Sequence, residues 1–347
     1  MVGINQRRTS FSAIGSGTNG GLVVPGVYAL SNSVSNPAAP SESEYQIGVD
    51  GMFAQASFGY KNFLYVDVTG RQDVSSTLPV ANNTYFYPSA TLSFIFSEFI
   101  DIDGFDFGKI RANYASVGSD APAQALADAY GIGTPFNGVT LASAPSTQNN
   151  ADLLAENTVS TEFGLEMKFL KNRVGIDVSI YQSSTFDQIL PAQVSSTTGT
   201  VFKYVNAGQI DNNGTELSAY ITPVKTNDFQ WDVNVNWSRN RNEVIELFGD
   251  SKSLLLASGQ GGFQVTARVG QPYGTIEGTS FVRDEETGSP LVYDRGSLGA
   301  WYHTGDVDVI GNIQADWRGG INNSFRYKNL TLSALLDAQM GGSFYSL

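Results

Sequence analysis

The sequence predicts an all-β fold: an antiparallel transmembrane β-barrel of the outer-membrane kind. Three observations predict it. Apolar and polar residues alternate with period two over runs of about 8 to 11 residues, the length at which a tilted strand crosses a bilayer. The connections between runs sort into very short turns and long polar segments. Aromatic rings gather at the ends of runs, where a membrane interface suits a ring that is apolar in body and polar at its edge.

The alternation is clearest in five places. Over 162–169, Phe163, Leu165, Met167 and Phe169 alternate with Glu162, Gly164, Glu166 and Lys168. Over 173–181, Val174, Ile176, Val178 and Ile180 alternate with Arg173, Gly175, Asp177, Ser179 and Tyr181. Trp231, Val233, Val235 and Trp237 do the same over 231–238, Leu64, Val66 and Val68 over 62–69, and Leu330, Leu332, Ala334 and Leu336 over 329–337. Weaker runs occupy 52–60, 85–96, 109–117, 215–222 and 320–327. Short turns are expected at 60–62, 170–172, 226–228 and 327–329, and long segments at 71–84, 118–158 and 246–262. The interfacial rings are Phe58, Tyr60, Tyr85 to Tyr87, Phe169, Trp231, Trp237, Phe325 and Tyr327. Within 119–131 the alanines at 121, 123, 125, 127 and 129 predict a short helix, and 139–152 reads as a loop rich in Ser, Asn and Ala.

Composition narrows the class. Charged residues are 15% of the chain, below the roughly 25% of an average soluble domain. Aromatics reach 12% and glycines number 37, which argues against disorder and for many strands joined by turns. The net charge of -13 repels phosphate backbones, so no nucleic-acid partner is expected. There is no cysteine and one histidine, His303. Thiolate metal sites are therefore excluded, and most zinc and Ser-His-Asp sites lack their residues. No run reaches the roughly 18 to 20 apolar residues of a membrane helix, which leaves spanning by strands. The opening residues lack the apolar core of a signal peptide, so the chain is expected to be mature or a fragment. A secreted β-sandwich or lectin-like domain also alternates and stays open on period alone.

The chemistry-bearing residue types do not assemble into a site. Asp101, Asp103 and Asp106 resemble the start of a calcium loop, but the twelfth position is Ala112 rather than the glutamate that pattern needs. Asp294, Asp306 and Asp308 near His303 read as an exposed acidic loop. Glu162 and Glu166 lie two pleats apart on one strand face, about 13 Å, too far for paired glycosidase carboxylates. Both are expected to face the lumen or a plug. Tyr85, Tyr87, Trp301 and Tyr302 could stack on sugars or simply pack. No catalytic, metal or cofactor residue is predicted, and no enzyme.

An ordered series of motifs carries a resemblance. Val68 to Pro79 is followed by Asn82-Asn83-Thr84-Tyr85-Phe86-Tyr87-Pro88-Ser89, Lys109 to Gly118 and Glu156-Asn157-Thr158. Tyr204-Val205-Asn206-Ala207-Gly208 precedes Asn213-Gly214-Thr215-Glu216. Asn240-Arg241-Asn242-Glu243-Val244, Gly270-Gln271-Pro272-Tyr273-Gly274, and Gly311-Asn312 before Asp316-Trp317-Arg318-Gly319-Gly320 complete it. The series resembles the SusC/RagA family of TonB-dependent outer-membrane transporters over nearly the whole chain. It departs where the family commonly has prolines and Ile313-Gln314-Ala315 stand here.

The resemblance implies that residues 1–347 are part of a plugged barrel of about 22 strands, of which roughly twelve to fourteen are readable here by period. Plug and closing strands would lie outside the chain. It further implies a nutrient importer in the outer membrane of a Gram-negative bacterium. Expected partners are lipid, a SusD-like surface lipoprotein, the TonB complex through the N-terminal region, and an oligosaccharide or peptide ligand. A passive barrel or adhesin is the alternative. The motifs themselves read as architectural: Asn82 and Asn83 as left-handed loop residues, Pro79 and Pro88 as strand-edge residues, and Asn213-Gly214 as a turn or bulge.

Overall fold

The computed structural model describes residues 1–295, 298–301 and 307–345. Its principal element is one antiparallel sheet of eleven strands, each paired with its neighbours in chain order. They are β1 Val2–Gly15, β2 Ser41–Tyr60, β3 Leu64–Ser75, β4 Thr84–Phe94, β5 Phe105–Ser119 and β6 Glu156–Phe169. β7 Val174–Phe186, β8 Gln209–Lys225, β9 Phe229–Glu246, β10 Ala315–Tyr327 and β11 Leu330–Gly341 follow. The ten alternating runs all fall on strands. The eleventh, β1, has no counterpart among them, because only Val2, Ile4 and Ile14 are apolar on its outer face. Eleven strands in this sheet also fall short of the twelve to fourteen expected; the remaining strands are short and form small sheets of two to four strands within the connecting segments.

Register explains the alternation. Directly opposed residues share a face, so one row can be followed across the sheet: Tyr60, Leu64, Phe94, Ile110, Leu165, Val178, Leu217, Trp237, Gly319 and Ala338. One residue along each strand, the opposite face carries Gly59, Tyr65, Ser93, Arg111, Gly164, Ser179, Glu216, Ser238, Arg318 and Gln339. The apolar face is open. Phe58 is 66% exposed, Phe163 59% and Leu336 69%. None of Leu64, Val66, Val68, Val174, Ile176 and Val178 is buried, so these rows are not the interior of a sandwich. An apolar face this broad is suited to hydrocarbon, not water.

Connections alternate between the two ends of the sheet. Segments 61–63, 95–104, 170–173, 226–228 and 328–329 join strands at one end, and 16–40, 76–83, 120–155, 187–208 and 247–314 at the other. The tightest turns use left-handed backbone, at Lys61 and Asn62, at Leu170 to Asn172, and at Lys328; left-handed residues match the twist of the flanking strands. Segment 71–84 is shorter as a loop than expected, since β3 continues to Ser75. Segment 119–131 holds no helix. Pro122 lacks an amide donor, Gln124 is left-handed, and Ala121 and Ala125 are buried in a loop core.

The short-turn end carries the ring belt. Phe63 packs edge-on against Phe94 and Phe99, Phe105 meets Phe96 and Phe169, and Trp231 stacks on Phe325. Trp237 does not belong to it; it sits mid-strand opposite Gly319. Tyr85 and Tyr87 do not either, since they face the polar side.

Glycines opposite tyrosines on the polar face fit the strands together. A Cβ on Gly175 would lie 2.1 Å from the Tyr220 ring, and one on Gly214 would lie 2.1 Å from Tyr181. Asn213-Gly214 is therefore neither turn nor bulge but a strand site that accepts a ring laid across it. We predict that Gly214→Val displaces Tyr181 and destabilises the barrel by about 1–3 kcal/mol. The check is a lower temperature at which the folded, SDS-resistant form of the full-length protein disappears on gels. An unchanged transition would refute the fit.

Candidate functional site

The polar face is built as a ladder of charges. Arg111 on β5 donates from both Nη atoms to the Asp177 carboxylate on β7, at 2.9 and 2.7 Å, and from Nη2 to Ser179 at 2.5 Å. Its Nε reaches Glu162 on β6 at 3.4 Å. One rung lower, Glu166 lies 2.6 Å from Lys109 and 3.0 Å from Lys168. Glu162 and Glu166 thus share the polar face, as their spacing predicts, and both are held by cations of the same wall. Arg318 on β10 donates to Gln339 on β11 at 3.0 Å. The wall curves around a space of about 810 Å³ lined by Arg111, Asp177, Glu216, Asn236, Arg318 and Asp337, among others. Such a surface holds water or polar chain, not lipid.

The long-loop end carries a crown with its own small cores. Leu78, Ala121, Ala125, Leu153 and Ile189 come from three different loops and pack together, with Tyr85 and Tyr204 against them. Ile210 and Val244, at the upper ends of β8 and β9, pack with Leu247 and Ala267 of segment 247–314. Asparagines tie the backbone across these loops. The Asn206 amide donates to the carbonyls of Leu154 and Asp187, both at 2.9 Å, and accepts from the Leu154 N–H at 2.8 Å. Asn150 donates to the Tyr204 carbonyl at 3.1 Å, and Glu156 accepts from the Ile189 N–H at 2.8 Å. Thr147–Gln148 pairs with Phe202–Asn206, which pairs with Ile189–Gln193, so two loops share one small sheet.

These ties explain the motifs. Asn206, in Tyr204 to Gly208, is a cross-loop bracket. Asn242 accepts from the Tyr273 N–H at 3.0 Å, and Arg241 pairs with Asp316 at 2.8 Å, so three of the sequence motifs meet here. Burial in this cluster pushes the Tyr273 hydroxyl above its ordinary pKa. Neither Asn82 nor Asn83 is left-handed; the Asn82 amide instead donates to the Leu153 carbonyl at 3.4 Å. Pro88 lies in β4 opposite Gly70, and β4 pairs with β5 only from Ser89 onward. Its missing donor thus marks where that edge of the strand is released.

The other candidates divide. Asp106, at the start of β5, accepts from the Asn172 N–H at 2.9 Å and ties the 170–173 turn to that strand. Among the described residues no group of three or more His, Cys, Asp or Glu is placed to hold a metal. Asp308 is exposed and accepts from Ser280 at 3.1 Å. His303, Tyr302 and Asp306, and the side chains of Asp294 and Trp301, lie outside what the structure describes. Tyr87 hydrogen-bonds Asp73 and Arg71 on the polar face. Asp73 and Arg71 escaped sequence reasoning; their signal was their common parity on β3.

An antiparallel sheet with a lipid-facing side, a polar concave side, and turns and loops sorted to opposite ends is the wall of a transmembrane β-barrel. Residues 4–345 match the family model described as TonB dependent receptor-like, beta-barrel. The chain belongs to that family. It is 28% identical to TonB-dependent receptor P26 of Formosa agariphila, over 92% of this chain and 34% of that protein. It is 26% identical to TonB-dependent receptor SusC of Bacteroides thetaiotaomicron, over 84% of this chain and 31% of that protein. The fold is similar to that of the RagAB peptide transporter, with a TM-score of 0.77 at 19% identity, over 96% of this chain and 38% of that one. The chain therefore spans about a third of the length of the curated relatives it matches.

We predict that Asn206→Ala, which strips three hydrogen bonds from loop backbone that water can reach, loosens the crown by about 1 kcal/mol. Amide exchange in 150–155 and 187–190 should quicken while β6 to β8 below stay protected. Uniform exchange across both regions would contradict the bracket.

Proposed function

We propose that residues 1–347 form part of the wall of a plugged outer-membrane barrel that imports nutrients. The single observation that carries this reading is the contrast between the two faces of one continuous sheet, apolar and open on one side, laddered with charge on the other. Family membership supports the transporter class. The first and last strands of the sheet each pair on one side only, and unpaired strand edges are not tolerated within hydrocarbon. In our reading further strands of the same protein close the barrel, and a plug fills the concave polar side.

The cargo we propose is an oligosaccharide or peptide too large for a passive pore, taken up with energy from the TonB complex. The similarity in fold to RagAB, a peptide transporter by name, supports the inclusion of peptides in that range. A SusD-like lipoprotein over the long-loop end is the partner we propose at the cell surface.

Residues 1–347 contain no cysteine, so a single cysteine placed here is the one thiol of this wall, and labelling is read against the unsubstituted protein. We predict that Ser218→Cys and Asn236→Cys of the full-length protein in outer membranes react with a small hydrophilic maleimide. Leu217→Cys and Val235→Cys should not. Equal labelling of both pairs, or the reverse pattern, would defeat the barrel orientation. Loss of cargo accumulation on deleting the energising TonB protein is expected, and TonB-independent uptake would defeat import by this class.

A further inference from the structure

We propose that Phe53, Arg71 and Tyr87 form a subsite on the polar wall, just beneath the loop crown, for a pyranose ring of a neutral oligosaccharide. The inference rests on the reading of this wall as the lining of an importer, and it selects between the two cargo classes proposed above.

The three residues stand directly opposite one another on β2, β3 and β4, so their side chains emerge side by side on the polar face. Tyr85 extends the row, its ring stacked on Tyr87 at 5.9 Å and 22°. The Arg71 guanidinium lies over the Phe53 ring at 6.0 Å from its centroid. Only the Nε of Arg71 is committed. It donates to both oxygens of Asp73, at 2.9 and 3.1 Å, and to the Tyr87 hydroxyl at 2.8 Å. Tyr87 in turn hydrogen-bonds Asp73, and the Asp73 side chain is buried. Among the described residues neither Nη atom donates to any protein acceptor.

Both Nη groups of Arg71 are thereby left for a ligand, beside the Phe53 ring. Two parallel N–H groups fit a pair of neighbouring hydroxyl oxygens, and an aromatic face fits the C–H side of a pyranose. Asp73 balances the charge of Arg71, so the site has no net charge with which to select an ionic ligand. A peptide would need free backbone groups to pair with. β2 and β3 are hydrogen-bonded on both sides here, so the wall offers only side chains. Tyr85 also touches the loop core of Leu78 and Leu153, which holds the platform rigid beneath the crown.

The test uses the full-length protein in detergent against two printed arrays, one of neutral oligosaccharides and one of mixed-sequence peptides. Arg71→Lys keeps a cation beside Asp73 and removes the paired Nη groups. Tyr87→Leu removes a ring, and Phe53→Tyr keeps one. We expect binding to neutral oligosaccharides that weakens at least tenfold in the first two variants and persists in Phe53→Tyr. All three should keep the SDS-resistant folded form. Oligosaccharide binding untouched by Arg71→Lys and Tyr87→Leu, binding of peptides alone, or no oligosaccharide binding at all would overturn the subsite. Energised uptake by cells is measured separately. Uptake that survives in the variants removes the subsite and leaves the importer standing, whereas absence of TonB-driven uptake in the parent protein removes the importer itself.

Discussion

Hydrocarbon offers no hydrogen-bond partner, so every amide and carbonyl crossing it must be met by a neighbouring strand. This requirement fixes the antiparallel ladder, and the ladder fixes the register. A slip of one residue between any two strands would turn a set such as Leu165, Val178 and Leu217 toward water and put Arg111, Asp177 and Glu216 into lipid. The apolar row from Tyr60 to Ala338 therefore records the outcome of a selection made strand by strand. The glycines across from Tyr181 and Tyr220 serve the same end. They let large polar-tipped rings lie flat on the wall, where a side chain in their place would push neighbouring strands apart.

Above the bilayer the constraint relaxes, and a different kind of order takes over. Water can satisfy loop backbone, so nothing there compels a ladder. The crown instead combines small apolar cores with side-chain amides that bond backbone in a neighbouring loop. An asparagine suits this task because one short side chain offers both a donor and an acceptor. Asn206 uses both toward a single residue, Leu154, which sets the separation of two loops rather than merely joining them. The polar wall below the crown relies on charge pairs that remain partly hydrated, so the pairs orient side chains more than they stabilise the fold.

Legibility in the sequence follows the same division. Membrane strands were readable because the side that meets hydrocarbon must be apolar where it crosses, as in Phe163 to Phe169 or Val174 to Ile180. β1 was not, because its outer face runs Val2, Ile4, Gln6, Arg8 and Ser10, and pairing with β2 rather than apolarity defines it. The alanines of 119–131 suggested a helix because helix propensity is local, whereas Ala121 and Ala125 are held by Leu78 and Leu153 from elsewhere in the chain. The motifs were visible as motifs, yet their work was hidden. Asn206 acts on a carbonyl about fifty positions away, and no spacing rule announces that. Arg71 and Asp73 were hidden for another reason: two residues on one strand face look like ordinary polar alternation until Tyr87 is seen beside them.

The crown and the wall are not independent, because the same strands pass through both. Ile210 and Val244 are buried in a loop core, while Leu217 and Trp237, farther down the same two strands, face lipid. A register shift between β8 and β9 would have to break the loop core and invert the lipid face together. The upper strand ends lie where water competes for backbone pairing and where fraying would otherwise begin. Packing loop residues against those ends, and bracketing them with Asn242 and Arg241, holds the ladder at the place where hydrocarbon no longer enforces it. The loops thus act on the barrel as much as the barrel positions the loops, and a rigid polar wall beneath a braced crown is the consequence.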